Sequence, residues 1–192
     1  MALHSAAVFE NLVYRAETLS GETFEDCSFR SCMFDATTFE RCRFISCSFT
    51  RCSFVTPLSR YSEMRFCDFR DCSLIGMDFM AFVDNEYIEK PVNSIKNCKM
   101  KYCYFHRMAF PSYDFSGNSF SKCEFVECDL QKASFAGCEL GATSFSNSDL
   151  RGADFRGASE YAIDIFTDKI KKARFSYPEV MDLLAGLDIV IE

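Results

Sequence analysis

Large apolar residues recur along this chain every five positions. Phe9, Tyr14, Leu19, Phe24, Phe29, Phe34, Phe39, Phe44, Phe49 and Phe54 open the series, and Met64, Phe69, Leu74 and Phe79 continue it, with Ser59 as the gap. The period resumes one residue out of phase at Ile95, runs through Met100, Phe105 and Phe110 to Phe155, and is looser through Ile165, Ile170 and Phe175. Two positions before these centres sits a small side chain. A period of five fits neither the 3.6 of a helix nor the 2 of an isolated strand, so the unit is a short extended segment followed by a corner. Large and small residues two apart share one face of such a segment, which makes both inward.

Composition sharpens this picture. The 192 residues include 22 Phe, 12 Cys and no Trp. Every Cys falls in the small slot, shared with Ala133, Thr143, Ser148, Ala153 and Ala158. Because Ala, Ser and Thr fill the same place, buried Cys acting as a small hydrophobe explains the pattern better than zinc held by Cys-x4-Cys pairs such as Cys27/Cys32 and Cys123/Cys128. Without a secretory leader pattern, reduced thiols are the default, so free thiols are expected. Phe at fixed spacing next to Cys on the inward side reads as core, not as a base-stacking platform. No cofactor is expected.

Cys128-Asp129-Leu130-Gln131-Lys132, Ala133-Ser134-Phe135-Ala136-Gly137 and Ala153-Asp154-Phe155-Arg156-Gly157 carry a small residue, a polar residue, Leu or Phe, and two variable positions. This resembles the pentapeptide-repeat family. The resemblance implies an all-β solenoid, a right-handed quadrilateral β-helix with four pentapeptides per coil, so that residues twenty apart stack. The expected organisation is a repeat over residues 1–175, interrupted around 82–92, and a C-terminal segment over 176–192.

The interruption, Phe82-Val-Asp-Asn-Glu-Tyr-Ile-Glu-Lys-Pro-Val92, lacks the small and large pair and reads as an inserted loop or distorted coil, with Glu86, Tyr87, Ile88 and Glu89 as candidate contacts. Pro57-Leu-Ser-Arg-Tyr61 reads as a distorted face. Ser176-Tyr-Pro-Glu179 forms a capping box, and Val180, Met181, Leu183 and Leu184 follow at helical spacing before Gly186. A short helix is expected there, then a strand over Leu187-Asp-Ile-Val-Ile191. An open solenoid end needs a cap or a partner. Val180, Met181, Leu184, Leu187, Ile189 and Ile191 are the candidate dimer seam, with a simple cap as the alternative.

Chemistry is sparse. His4 falls at a terminus expected to fray and His106 on an outward position, and no phosphate loop, metal-ligand cluster or nucleophile elbow is present, so no enzyme is expected. The net charge of −7 argues against direct nucleic-acid binding by phosphate neutralisation. The absence of a long apolar run or a leader pattern predicts a cytoplasmic protein without membrane contact. Acids concentrate late: Asp114, Glu124, Asp129, Glu139, Asp149, Asp154 and Asp164 fall on outward positions, and coil stacking places Asp129 next to Asp149. These acids can be read as a solvated feature of the repeat or as a mimic of the DNA phosphate rod.

The two repeat blocks and the ending, Ile170-Lys-Lys-Ala-Arg-Phe-Ser-Tyr-Pro-Glu179 to Leu-Asp-Ile-Val-Ile191, are similar to the group of the family that confers albicidin resistance, microcin immunity and Qnr-type quinolone resistance. That resemblance implies a homodimer that binds DNA gyrase or topoisomerase IV and shields it from a poison. The alternative is a passive interaction scaffold.

Overall fold

The computed structural model describes residues 2–83, 91–187 and 189. Three-residue strands alternate with bends at the five-residue period, and every strand pair is parallel. The chain forms two compact units, residues 1–103 and 104–192.

In residues 1–103 the strands build four ladders. One runs Ala2–Ser5, Glu22–Glu25, Arg43–Ile45 and Glu63–Arg65, and the next Val8–Glu10, Ser28–Arg30, Ser48–Thr50, Cys67–Arg70 and Val92–Lys96. A third joins Val13–Arg15, Met33–Asp35, Ser53–Val55, Ser73–Ile75 and Lys99–Lys101, and the fourth Thr18–Ser20, Thr38–Glu40 and Leu58–Arg60. Partners are twenty residues apart, as with Ser28 and Ser48. The offset rises to 26 between Cys72 and Cys98, so the interruption inserts six residues into one coil and produces the phase change.

Inside, same-face rings stack and neighbouring faces meet edge-on. Phe9, Phe29, Phe49 and Phe69 stack at 4.9, 4.9 and 5.0 Å, while Phe24 meets Phe29 at 74°. Ser59 leaves a gap in the fourth ladder beside Phe39. Phe82, from the 3-10 turn Met80–Phe82, is buried there and lies 5.8 Å from Phe39. The two ends of the segment expected to be a loop are therefore core: Phe82 is buried in the turn, and Val92 is buried in a strand. Nor does the N-terminus fray at His4, which pairs in a strand with Phe24, stacks on its ring at 4.9 Å and meets Glu22 at 2.8 Å.

All twelve cysteines are free and buried. Their thiols donate to backbone carbonyls, as Cys47 does to Phe24 and Ile45. The slot also accepts: Ser62 Oγ takes the Cys42 N–H at 2.8 Å and Ser148 Oγ the Cys128 N–H at 3.1 Å. The residue two after most centres adopts a left-handed φ, such as 52° at Arg41 and 58° at Lys132. That conformation is unfavourable for most L residues, and its compensation is visible in the corner N–H groups, which donate to the next coil: Arg41 to Arg60 and Lys132 to Arg151.

Candidate partner-binding site

Residues 104–175 form a four-sided repeat within the second unit. The first face aligns Tyr104, Glu124 and Ser144; the second Ala109, Asp129, Asp149 and Lys169. The third aligns Asp114, Ser134, Asp154 and Arg174; the fourth Ser119, Glu139 and Ser159. Asp129 and Asp149 are thus adjacent in one ladder, and Asp114 and Asp154 are two coils apart on a shared face. Asp164 departs from twenty-residue stacking on Glu124, because the register slips and places Ala162 opposite Ser144. Phe105, Phe125 and Phe145 stack at 4.5 and 5.1 Å, which fixes the backbone that carries these charges.

The acids differ in their surroundings. Arg151 forks onto Asp149 at 2.7 and 2.5 Å, and Arg156 onto Asp154 at 2.9 and 2.6 Å. The guanidinium in each case holds the carboxyl below its usual range, with the flanking Lys169 and Arg174 adding to the effect. Asp129 accepts from the Gln131 backbone and side chain, and Asp114 from Ser116. Glu127, at a corner, pairs with Arg107 at 2.7 Å. Among the described residues no ion pair engages Glu124, Glu139, Glu160 or Asp164, all exposed. Glu139 and Glu124 lie on adjoining faces, and the strand Glu139–Ser146 turns the corner between them.

Beside that corner a groove of about 780 Å³ opens between the last coils and the C-terminal helix. Glu160, Asp164 and Asp182 line it together with Ile163, Phe166 and Leu183. The buried Tyr161 hydroxyl lacks a hydrogen-bond partner there, and burial first, then Asp182 and Glu179, push it up to about 12.

The C-terminal helix is a 3-10 helix over Glu179–Leu187, not an α-helix. Ser176 does not cap it; its hydroxyl accepts the Gly157 N–H at 3.0 Å. Val180, Met181, Leu184 and Leu187 are half-buried along this element. The expected strand over 187–191 is not seen in the described residues: Leu187 ends the 3-10 helix and Ile189 is exposed outside any strand. Ile191 lies outside the described residues, as do Glu86, Tyr87, Ile88 and Glu89. His106 is exposed. No described helix is long and apolar enough to cross a membrane.

Five-residue sides, parallel ladders and an inward Phe and Cys lining define a β-solenoid of short repeats. Residues 123–159 match the family model described as Pentapeptide repeats (8 copies), so that stretch of the chain carries pentapeptide repeats. In fold it is similar to a trypsin-treated single-residue variant of QnrB1, described as a plasmid-mediated fluoroquinolone resistance protein. The TM-score is 0.56 at 17% identity, covering 96% of this chain and 99% of that one. Full-length QnrB1 gives 0.43 at 18% identity over 98% and 100% of the two chains. HetL, a pentapeptide repeat protein involved in heterocyst differentiation regulation from the cyanobacterium Nostoc sp. strain PCC 7120, gives 0.28 at 11% over 88% and 87%. No curated protein sequence matches the chain.

Proposed function

We propose that this protein is a non-enzymatic, cytoplasmic homodimer that binds DNA gyrase or topoisomerase IV at its DNA-binding surface and protects it from a poison. The observation that carries this reading is the set of exposed carboxylates outside any described ion pair, Glu124, Glu139, Glu160 and Asp164, gathered on two adjoining faces of a rigid repeat. Charges fixed on stacked strands about 4.8 Å apart need no reordering to enter a basic DNA-binding channel. Asp129 extends the field, whereas Asp149 and Asp154 add little net charge beside their arginines. The fold likeness to QnrB1, a fluoroquinolone resistance protein, supports the same reading. The apolar C-terminal residues Val180, Met181, Leu184 and Leu187 supply the dimer seam, with Ile189 exposed beside them.

The arginine pairs at Asp149 and Asp154 favour one other reading, a passive interaction scaffold with a balanced surface. A gyrase supercoiling assay with a fluoroquinolone and graded amounts of this protein separates the two. Restored supercoiling, lost in a Glu124→Gln/Glu139→Gln variant, supports protection. Neither rescue nor inhibition at any ratio leaves the scaffold.

A further inference from the structure

The net charge of −7 conceals a division within residues 104–192. Carboxylates outside the described ion pairs gather around the corner between the fourth and first faces, and the diagonally opposite corner is basic. Lys169 and Lys171 lie on the second face, Lys172 turns the corner with φ 62°, and Arg174 begins the third face. All four are exposed, while Ile170 and Ala173 between them and Phe175 after them are partly buried, so the strand alternation directs the cations outward. Lys132 lies at the same corner two coils earlier, also exposed.

The nearest acids do not cancel this charge. Asp149 is Lys169's ladder partner and Asp154 is Arg174's, but each is already forked by its own arginine, Arg151 or Arg156. Asp168 points inward, where Oδ1 accepts the Ser148 N–H at 2.8 Å and Oδ2 the Asp164 N–H at 3.2 Å. Among the described residues Lys169, Lys171, Lys172 and Arg174 make no ion pair. Four cations outside any described ion pair thus wrap this corner within six residues, and Lys169 and Lys171, alternate positions of one extended side, lie about 6.6 Å apart. That is roughly twice the 3.4 Å axial rise per nucleotide of one strand of duplex DNA.

We propose that this corner binds the phosphate backbone of duplex DNA. The contact is sequence-independent, because the row offers ammonium and guanidinium groups to phosphates and no element shaped to enter a groove. It goes beyond the topoisomerase reading and does not depend on it.

The test is fluorescence anisotropy of a labelled duplex of about 20 base pairs, without any topoisomerase, from about 20 to 200 mM salt. Four phosphate contacts predict a slope of log affinity against log salt near −3.6, about −0.9 per contact. Lys171→Gln/Lys172→Gln, at exposed positions, is expected to weaken binding more than tenfold at low salt. It should also shallow the slope by about 1.8, two contacts' worth. Glu124→Gln, on the opposite corner, should leave the slope unchanged. Circular dichroism and melting temperature report whether each variant keeps its fold. No binding at the lowest salt, or an unchanged slope in the double variant, would overturn the proposal. Equal affinity for polyglutamate would also overturn it, by showing a surface for acidic polypeptides. Failure here leaves gyrase protection untouched, because that assay depends on the opposite corner.

Discussion

Replacing Phe135 with Ala probes the packing on which the charged faces rest. The ring is fully buried, stacks on Phe115 at 4.9 Å and Phe155 at 5.1 Å, and meets the edges of Phe125 and Phe145 at 5.6 and 5.4 Å. Truncating a buried Phe to Ala costs about 3 to 5 kcal/mol, combining lost transfer energy with the cavity left behind. The upper half of that range applies here, since each coil is hydrogen-bonded on both sides and resists collapse; the Phe135 N–H itself donates to Asp154. Lost aromatic pairs, about 0.5 to 1.5 kcal/mol each beyond area burial, act in the same direction. Phe135→Leu keeps most of the volume and should cost less than about 1.5 kcal/mol. Urea unfolding measures both, and hydrogen exchange shows where protection is lost, which in a nearest-neighbour repeat is first in the coils that contain Phe115 and Phe155. A loss below about 1 kcal/mol for the Ala variant would refute the stacked-ring core.

The remaining predictions concern the slot and the corners. Burial lifts Asp168 above the ordinary 3.8, so the folded state binds more protons than the unfolded one in the window above that value, and stability falls as pH rises through it. Asp168→Ser keeps an acceptor for Ser148 and removes the titration, so stability measured by urea from about pH 4 to 7 should lose this component, and an unchanged slope would contradict the assignment. Burial pushes the Cys47 thiol up to about 12 and Cys128 up to about 11. A thiol reagent at neutral pH should therefore label the native protein slowly and all twelve cysteines after unfolding; rapid native labelling at these two positions would show an open interior. Thr56 holds φ 44°, a left-handed value that a β-branched residue tolerates poorly, so Thr56→Asn should raise stability by about 0.5 to 1 kcal/mol in thermal unfolding.

The period of five carries most of the fold, because one inward large residue and one inward small residue per side leave a chain little choice but to turn and stack. With the four-sided coil that the family resemblance implies, it also places Asp129 against Asp149. Asp149 with Arg151, and Asp154 with Arg156, were legible by the same alternation, since residues two apart share an outward face; counting charges along the chain passes over that pairing. Lys169 and Lys171 follow the same rule. Other features need three dimensions. Phe82 sits outside the repeat in sequence, and its value comes from the space Ser59 leaves beside Phe39. Ser176 has the form of a helix cap, but the hydroxyl serves Gly157 in the preceding coil, a contact nineteen residues away.

Whether the acidic corner takes the place of DNA is measured most directly by displacement. Labelled duplex DNA bound to gyrase at about 150 mM salt, where four phosphate contacts hold weakly, is titrated with this protein. The account predicts competitive release of DNA, weakened at least tenfold by Glu124→Gln/Glu139→Gln. A complex in which gyrase holds this protein and DNA together at undiminished affinity would contradict it.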